Sequence, residues 1–230
     1  MNLAETATGG PEAGYSPAVV EQMSAEAVLA EARRAFWVMV AALAAIWGIQ
    51  VVNALVGYQL SYQFGVQAWN PLSLPEVFTA PFLHYGWDHI EGNSGPLFIF
   101  GFLAAFRGVR KFVSVTILII VISGLGAWLT STPGTVTAGA SGVVFGYFGY
   151  IMVRGLFDRH GIDIVIGVVM ALSFAYQFSV IVPGTPGVSW QGHLFGFVAG
   201  ILGGWVFRER RPKQVDPTAP SLMLPDATSL

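Results

Sequence analysis

The chain contains no cysteine, so it has neither a disulfide framework nor thiol chemistry. It is also poor in charge. Asp, Glu, Lys and Arg make up 10% of its 230 residues, against about 25% in an ordinary soluble domain. Net charge is -2, which excludes the basic footprint of a nucleic-acid-binding protein. No internal repeat is visible, so an inverted-repeat transporter has no support. No cleavable signal peptide is visible either: the first apolar run begins only after Arg33 and Arg34 and is too long for a signal h-region. The first span is expected to be its own signal anchor.

What the chain does have is apolar residues, 54% of the total, gathered into blocks. Six blocks read as membrane spans, at about 36–56, 87–106, 112–129, 141–153, 162–182 and 190–207. Residues 1–15, rich in Gly, Ala, Thr and Glu, have the composition of a disordered segment. Ser16 and Pro17 have the form of an N-cap and a first helical position, opening a helix that runs into the first span. Residues 57–85 carry Pro71, Pro75, Pro81 and several aromatics but no Lys or Arg, as expected of a segment lying at the lipid–water boundary. The expected division is a cytoplasmic, partly disordered segment at 1–35, a six-span domain at 36–207 and a disordered tail at 208–230.

The basic residues set the topology. Arg33 and Arg34 precede the first span, Arg107, Arg110 and Lys111 follow the second, Arg154 and Arg159 follow the fourth, and the rest follow the sixth. The alternate loops have none. By the positive-inside rule both termini are cytoplasmic.

The fourth block is short and opens on Thr137-Ala138-Gly139-Ala140-Ser141-Gly142. Counted up from Arg154, Ser141 stands about 20 Å along the helix. In a hydrocarbon layer about 30 Å thick, that is about 10 Å below the outer surface. The backbone above it is then non-helical at membrane depth, which is tolerated only beside protein or a watery cavity. The same ruler puts His193, about 22 Å above Arg208, and Asn93, about 21 Å above Arg107, at nearly the same level. Gly192, Gly196, Gly200 and Gly204 on the last span, and Gly142, Gly146 and Gly149 on the fourth, form small-residue stripes that let helices approach closely in lipid. If these stripes face each other, Ser141 and His193 become neighbours.

A serine becomes a nucleophile only with a base within about 2.6–3.2 Å. His160 sits in an inner loop, whereas His84, His89 and His193 fall in the outer half. No carboxylate is near His193 in sequence, and helical offset turns Asp88 and Glu91 away from the His89/Asn93 face. That favours a Ser–His dyad over a triad. His84 is expected to make structural or loop contacts.

The pattern His84-x4-His89-x3-Asn93, then Gly139-Ala140-Ser141-Gly142, then Gly192-His193-Leu194-x-Gly196 resembles the rhomboid intramembrane serine proteases, over residues 36–207. The resemblance implies an all-α membrane protein, a six-transmembrane-helix bundle with a short central fourth helix. It implies Ser141 as nucleophile, His193 as its base, and His89 and Asn93 as stabilisers of the oxyanion. It implies no cofactor or metal, and as partners the lipid bilayer and transmembrane protein substrates, cut near the outer face, often after a small residue. The expected location is the plasma membrane of a prokaryote. One departure stands out: where many members carry Trp-Arg in the first outer loop, this chain has Pro75-Glu76. The loop 182–189, with Pro183, Gly184, Pro186 and Gly187, is expected to cover the cavity and move to admit a substrate.

Three rivals compete. A zinc site from His84, His89, Glu91 and His193 lacks the His-Glu-x-x-His spacing. A non-catalytic rhomboid-like scaffold usually loses the serine or histidine, and both are present. A transporter or channel needs charge through the spans, which is missing.

Overall fold

The structure, a computed structural model, describes residues 17–209, of which 17–23 are described by their backbone alone. The expected disordered segments at 1–15 and in the C-terminal tail, and the Ser16 cap, lie outside the described residues. The chain is mostly helical. Helix α1 runs Pro17–Leu55, then a short α2 at Gln59–Gln63, α3 at Trp87–Ala105, α4 at Val109–Thr130, α5 at Ser141–Asp158, α6 at Gly161–Ser173 and α7 at Trp190–Val206. The helix expected to lead into the first span is continuous with it. Two helical stretches, Ser24–Leu55 and Val109–Thr130, are long and apolar enough by themselves to cross a membrane.

Between α2 and α3 the chain makes a short strand, β1 (Val66–Gln67), and three 3-10 turns, each with proline in its first two positions. Proline presets the turn and has no N–H to lose there. β1 pairs antiparallel with β2 (Val136–Thr137), Val66 opposite Thr137. This small ribbon carries the non-helical backbone that leads down into α5. Tyr62, Trp69, Leu72 and Phe78 of the 57–85 segment are exposed, so this segment turns an apolar face outward.

The core is α5. Val144, Tyr147, Phe148 and Ile151 are all at most 3% exposed, packed among α3, α4, α6 and α7. Its closest neighbour is α7, and glycine sets the spacing. A Cβ added at Gly196 would run into the carbonyl oxygen of Gly142, and one at Gly200 into that of Gly146. The two stripes do face each other. Ser123 of α4 closes the same junction, its hydroxyl donating to the Gly192 carbonyl at 2.9 Å.

Two sequence expectations need correction. Helix α5 is not short: it continues to Asp158, 18 residues or about 27 Å. The cause is Arg154, which was expected to mark the inner boundary. Its side chain is 1% exposed, bonded to the Leu103 carbonyl and 3.0 Å from Asp163. With its charge neutralised inside, the helix carries on past it. Asp163 also meets Arg107, at 2.5 Å, and Lys111 meets Asp158, at 3.5 Å. These contacts fasten the ends of α3 and α5 to the starts of α4 and α6, opposite the end that holds Ser141. The second correction concerns α6. Its α-helix stops at Ser173 and continues as a 3-10 helix over Ala175–Val180.

Candidate active site

Ser141 begins α5, at the first turn, where backbone N–H groups have no acceptor within the helix. The turn above it depends on Gly139, whose φ of +137° disfavours any side chain. Space requires glycine there as well. A Cβ at Gly139 would lie 2.8 Å from both Cε1 and Nε2 of His89, and 3.8 Å from the Ser141 hydroxyl oxygen. The His89 ring edge and the Ser141 hydroxyl therefore flank one glycine.

The turn is held from behind. The Gly139 N–H donates to the Ala80 carbonyl at 2.9 Å, and the Ala140 N–H donates to Nε2 of His84 at 3.3 Å. His84 is completely buried, and its ring meets that of His89 edge-on, centroids 4.9 Å apart. Burial, with a smaller contribution from neighbouring His89, pushes the His84 pKa down to about 3. The ring is thus neutral near pH 7, with the Nε2 lone pair free to accept. Its own carbonyl takes hydrogen bonds from Asn53 Nδ2 (2.9 Å) and Ser61 Oγ (3.0 Å), and Asn53 also donates to Ser61. Asn53 comes from α1 and is fully buried. His84 is a structural contact, as expected. The support that Asn53 gives it was not visible in sequence, because these residues are far apart along the chain.

His193 sits in the first turn of α7, capped by Ser189, whose side chain accepts from the Gly192 N–H. Its Nδ1 lies 2.9 Å from the Val180 carbonyl. That bond assigns the proton to Nδ1 and leaves the Nε2 lone pair available. The ring stacks on Phe145, centroids 4.3 Å apart and planes at 22°. Sequence reading missed both partners. Phe145 lies four residues after Ser141, so it shares that face of α5; Val180 contributes only backbone and leaves no signal. Asn93 lies in α3, its amide nitrogen buried and unpartnered among the described residues.

A cavity of about 740 Å3 joins these parts. Ser141, His193, His89 and Asn93 all line it, so the residues that the sequence singled out on three separate helices open into one space. Asp88 lines it too, against the expectation that it turns away: at the first turn of α3 the cavity is wide enough to reach past the His89/Asn93 face. A second, smaller cavity of about 40 Å3 lies beside Ser141, bounded by Ser123, Ala127, Ile120 and Val143. No group of three or more His, Asp or Glu among the described residues is arranged to hold a metal.

The profile of the Rhomboid domain matches residues 71–210, more than half of the chain and every residue that lines the larger cavity. The chain belongs to the rhomboid family. Family members are integral to membranes. A protein of Mycobacterium tuberculosis, itself uncharacterised, is 37% identical over 71% of either chain. YdcA of Bacillus subtilis, which carries the provisional name of rhomboid protease, is 29% identical over 65% of this chain and 72% of its own. A rhomboid protein of Acanthamoeba polyphaga mimivirus is 33% identical over 53% of this chain and 68% of its own.

Proposed function

We propose that this rhomboid is an intramembrane serine endopeptidase that cuts transmembrane protein substrates by a Ser141–His193 dyad. The observation that carries the reading is the single cavity lined by Ser141, His193, His89 and Asn93, with His193 tethered through Nδ1. In this reading Nε2 of His193 takes the Ser141 proton as the hydroxyl oxygen attacks the scissile carbonyl, then gives it to the leaving amine. Water, activated by the same nitrogen, releases the acyl group. The backbone carbonyl of Val180 fills the orienting position that a carboxylate takes in a triad.

The oxyanion needs donors in place before charge develops. The Ser141 N–H at a helix start offers one, with a favourable dipole. The Asn93 amide and His89, which flanks Gly139, offer the others. The small cavity beside Ser141 fits a small side chain at the scissile residue. The domain is residues 36–207, with α1 and α3 to α7 each crossing the bilayer. The end fastened by Arg107, Arg154 and Lys111 is the cytoplasmic one, as the positive-inside rule requires of both termini, in the plasma membrane of a prokaryote. The 57–85 segment rests its exposed aromatics in the lipid interface. The loop 182–189 covers the cavity, which Gly187 and Ser189 line, and moves to admit the substrate.

The test is fluorophosphonate labelling and cleavage of a reporter transmembrane substrate in proteoliposomes, comparing wild type with Ser141→Ala. The variant is expected to fold, and to neither label nor cleave. Cleavage retained by Ser141→Ala removes the serine mechanism. A wild type that folds but neither labels nor cleaves points to the non-catalytic, membrane-protein-binding reading.

A further inference from the structure

Asp88, an exposed residue at the first turn of α3, lines the cavity. The charge around it is one-sided. All 11 Lys and Arg precede the first span, follow the last, or lie toward the far end of the bundle, in its connections or, as with the buried Arg154, within the helices there. The end that holds Ser141 has Glu76, Asp88 and Glu91 and no Lys or Arg among the described residues. Of these three, Asp88 lines the cavity. Tyr85 and Trp190 line it too, offering aromatic rings to a cation that approaches the carboxylate.

We propose that Asp88 makes this site selective for substrates with a lysine or arginine just outside the scissile bond. The inference rests on the protease reading of the same cavity. Asp88 stands five residues above Asn93 on α3, about 7 Å along the axis. That distance equals about two residues of extended substrate at roughly 3.3 Å each. A cation two to four residues to the water side of the cut therefore comes beside Asp88. A lone carboxylate in bulk water adds little, because the high dielectric of water weakens the attraction of a neighbouring cation. At the mouth of a protein cavity the effective dielectric is lower and the field is focused, so the same pair gains several times more. No lysine or arginine among the described residues competes for the carboxylate at this end. An acidic substrate residue at the same place meets repulsion from the same charge.

The experiment uses single-span reporter peptides that differ only in Lys, Gln or Glu at those positions, in nanodiscs. Cleavage is measured with the wild type, Asp88→Asn and Asp88→Lys. Binding is measured by fluorescence anisotropy on the same three forms carrying Ser141→Ala, where no hydrolysis is needed. The wild type is expected to favour the Lys peptide over the Glu peptide about tenfold, less at high salt. Asp88→Asn brings the ratio near one and Asp88→Lys inverts it, each in binding and in kcat/KM. Equal handling of the three peptides by the wild type overturns the proposal. So does a Lys preference that persists unchanged in Asp88→Lys. If binding shows the charge preference but no form cleaves or labels, the protease reading fails and the cation site stands.

Discussion

His193 is bound to Val180: the ring Nδ1 lies 2.9 Å from that carbonyl oxygen. The candidate base is thus oriented by backbone from the 3-10 stretch at the end of α6. A carbonyl does not titrate near neutral pH, so proton uptake by His193 alone sets the acid limb of the pH profile. We expect kcat/KM to fall with a slope of about one per pH unit as the imidazole gains its proton. A profile that stays flat down to the pH at which the protein unfolds, with chemistry shown to be rate-limiting, removes His193 as the base. A slope of two brings in a second group.

The Asn93 amide is buried without an acceptor among the described residues. Such a donor costs free energy in the resting protein unless something arrives to bond it. In the proposed mechanism the developing oxyanion is that acceptor. Asn93→Ala is expected to lower kcat by about 10²–10³, or roughly 3–4 kcal/mol, with KM little changed. A rise in KM alone makes Asn93 a substrate-binding residue. Loss of the fold makes it structural.

His84 offers a stability measurement separate from catalysis. Folded, its ring stays neutral down to about pH 3, because burial disfavours the cation and His89 is beside it. In the unfolded chain it takes up a proton near pH 6.5. Between those values the unfolded state binds the extra proton, so this contribution is complete above about pH 6.5 and is lost as pH falls below it. The slope is at most about 1.4 kcal/mol per unit. His84→Gln keeps an acceptor for the Ala140 N–H but cannot titrate. Its Tm in detergent is expected to fall less steeply than the wild type's between pH 7 and 4. Parallel curves place the buried His84 in contact with water.

Much of this arrangement was legible in the sequence because its parts follow short-range rules. Helix starts at Ser141 and Trp190, the glycine stripes and the one-sided basic residues each leave a local pattern. Helical rise brings Asn93 and His193 to nearly one level, whereas the count for Ser141 started from Arg154, which lies inside the bundle. What stayed hidden was what other segments contribute. The buried Arg154 looked like a loop residue because its partner, Asp163, lies across a helix–helix turn. Asp88 looked averted because helical offset gives direction around one axis and says nothing of how wide the neighbouring cavity is. Val180 acts through a backbone atom that every residue has.

The close approach of α5 and α7 gives the last prediction. The Gly142 carbonyl of α5 occupies the place where a side chain at Gly196 of α7 would start, and the Gly146 carbonyl does the same at Gly200. Backbone cannot yield as a flexible side chain does, so Gly196→Ala must push the two helices apart. Overpacking of this kind costs about 1–3 kcal/mol. The catalytic cost is larger in proportion, because Gly142 and Gly196 lie one and three residues from Ser141 and His193. A displacement of about 1 Å there lowers the rate by about 10². Gly196→Ala is therefore expected to cut kcat about a hundredfold and to slow fluorophosphonate labelling, with a Tm drop too small to unfold the protein. Gly48 in α1 is the control: nothing lies within 4 Å of a Cβ added there, and Gly48→Ala should match the wild type in both assays. If Gly196→Ala also matches it, close packing of α5 on α7 is not what sets the spacing of Ser141 and His193 across the cavity.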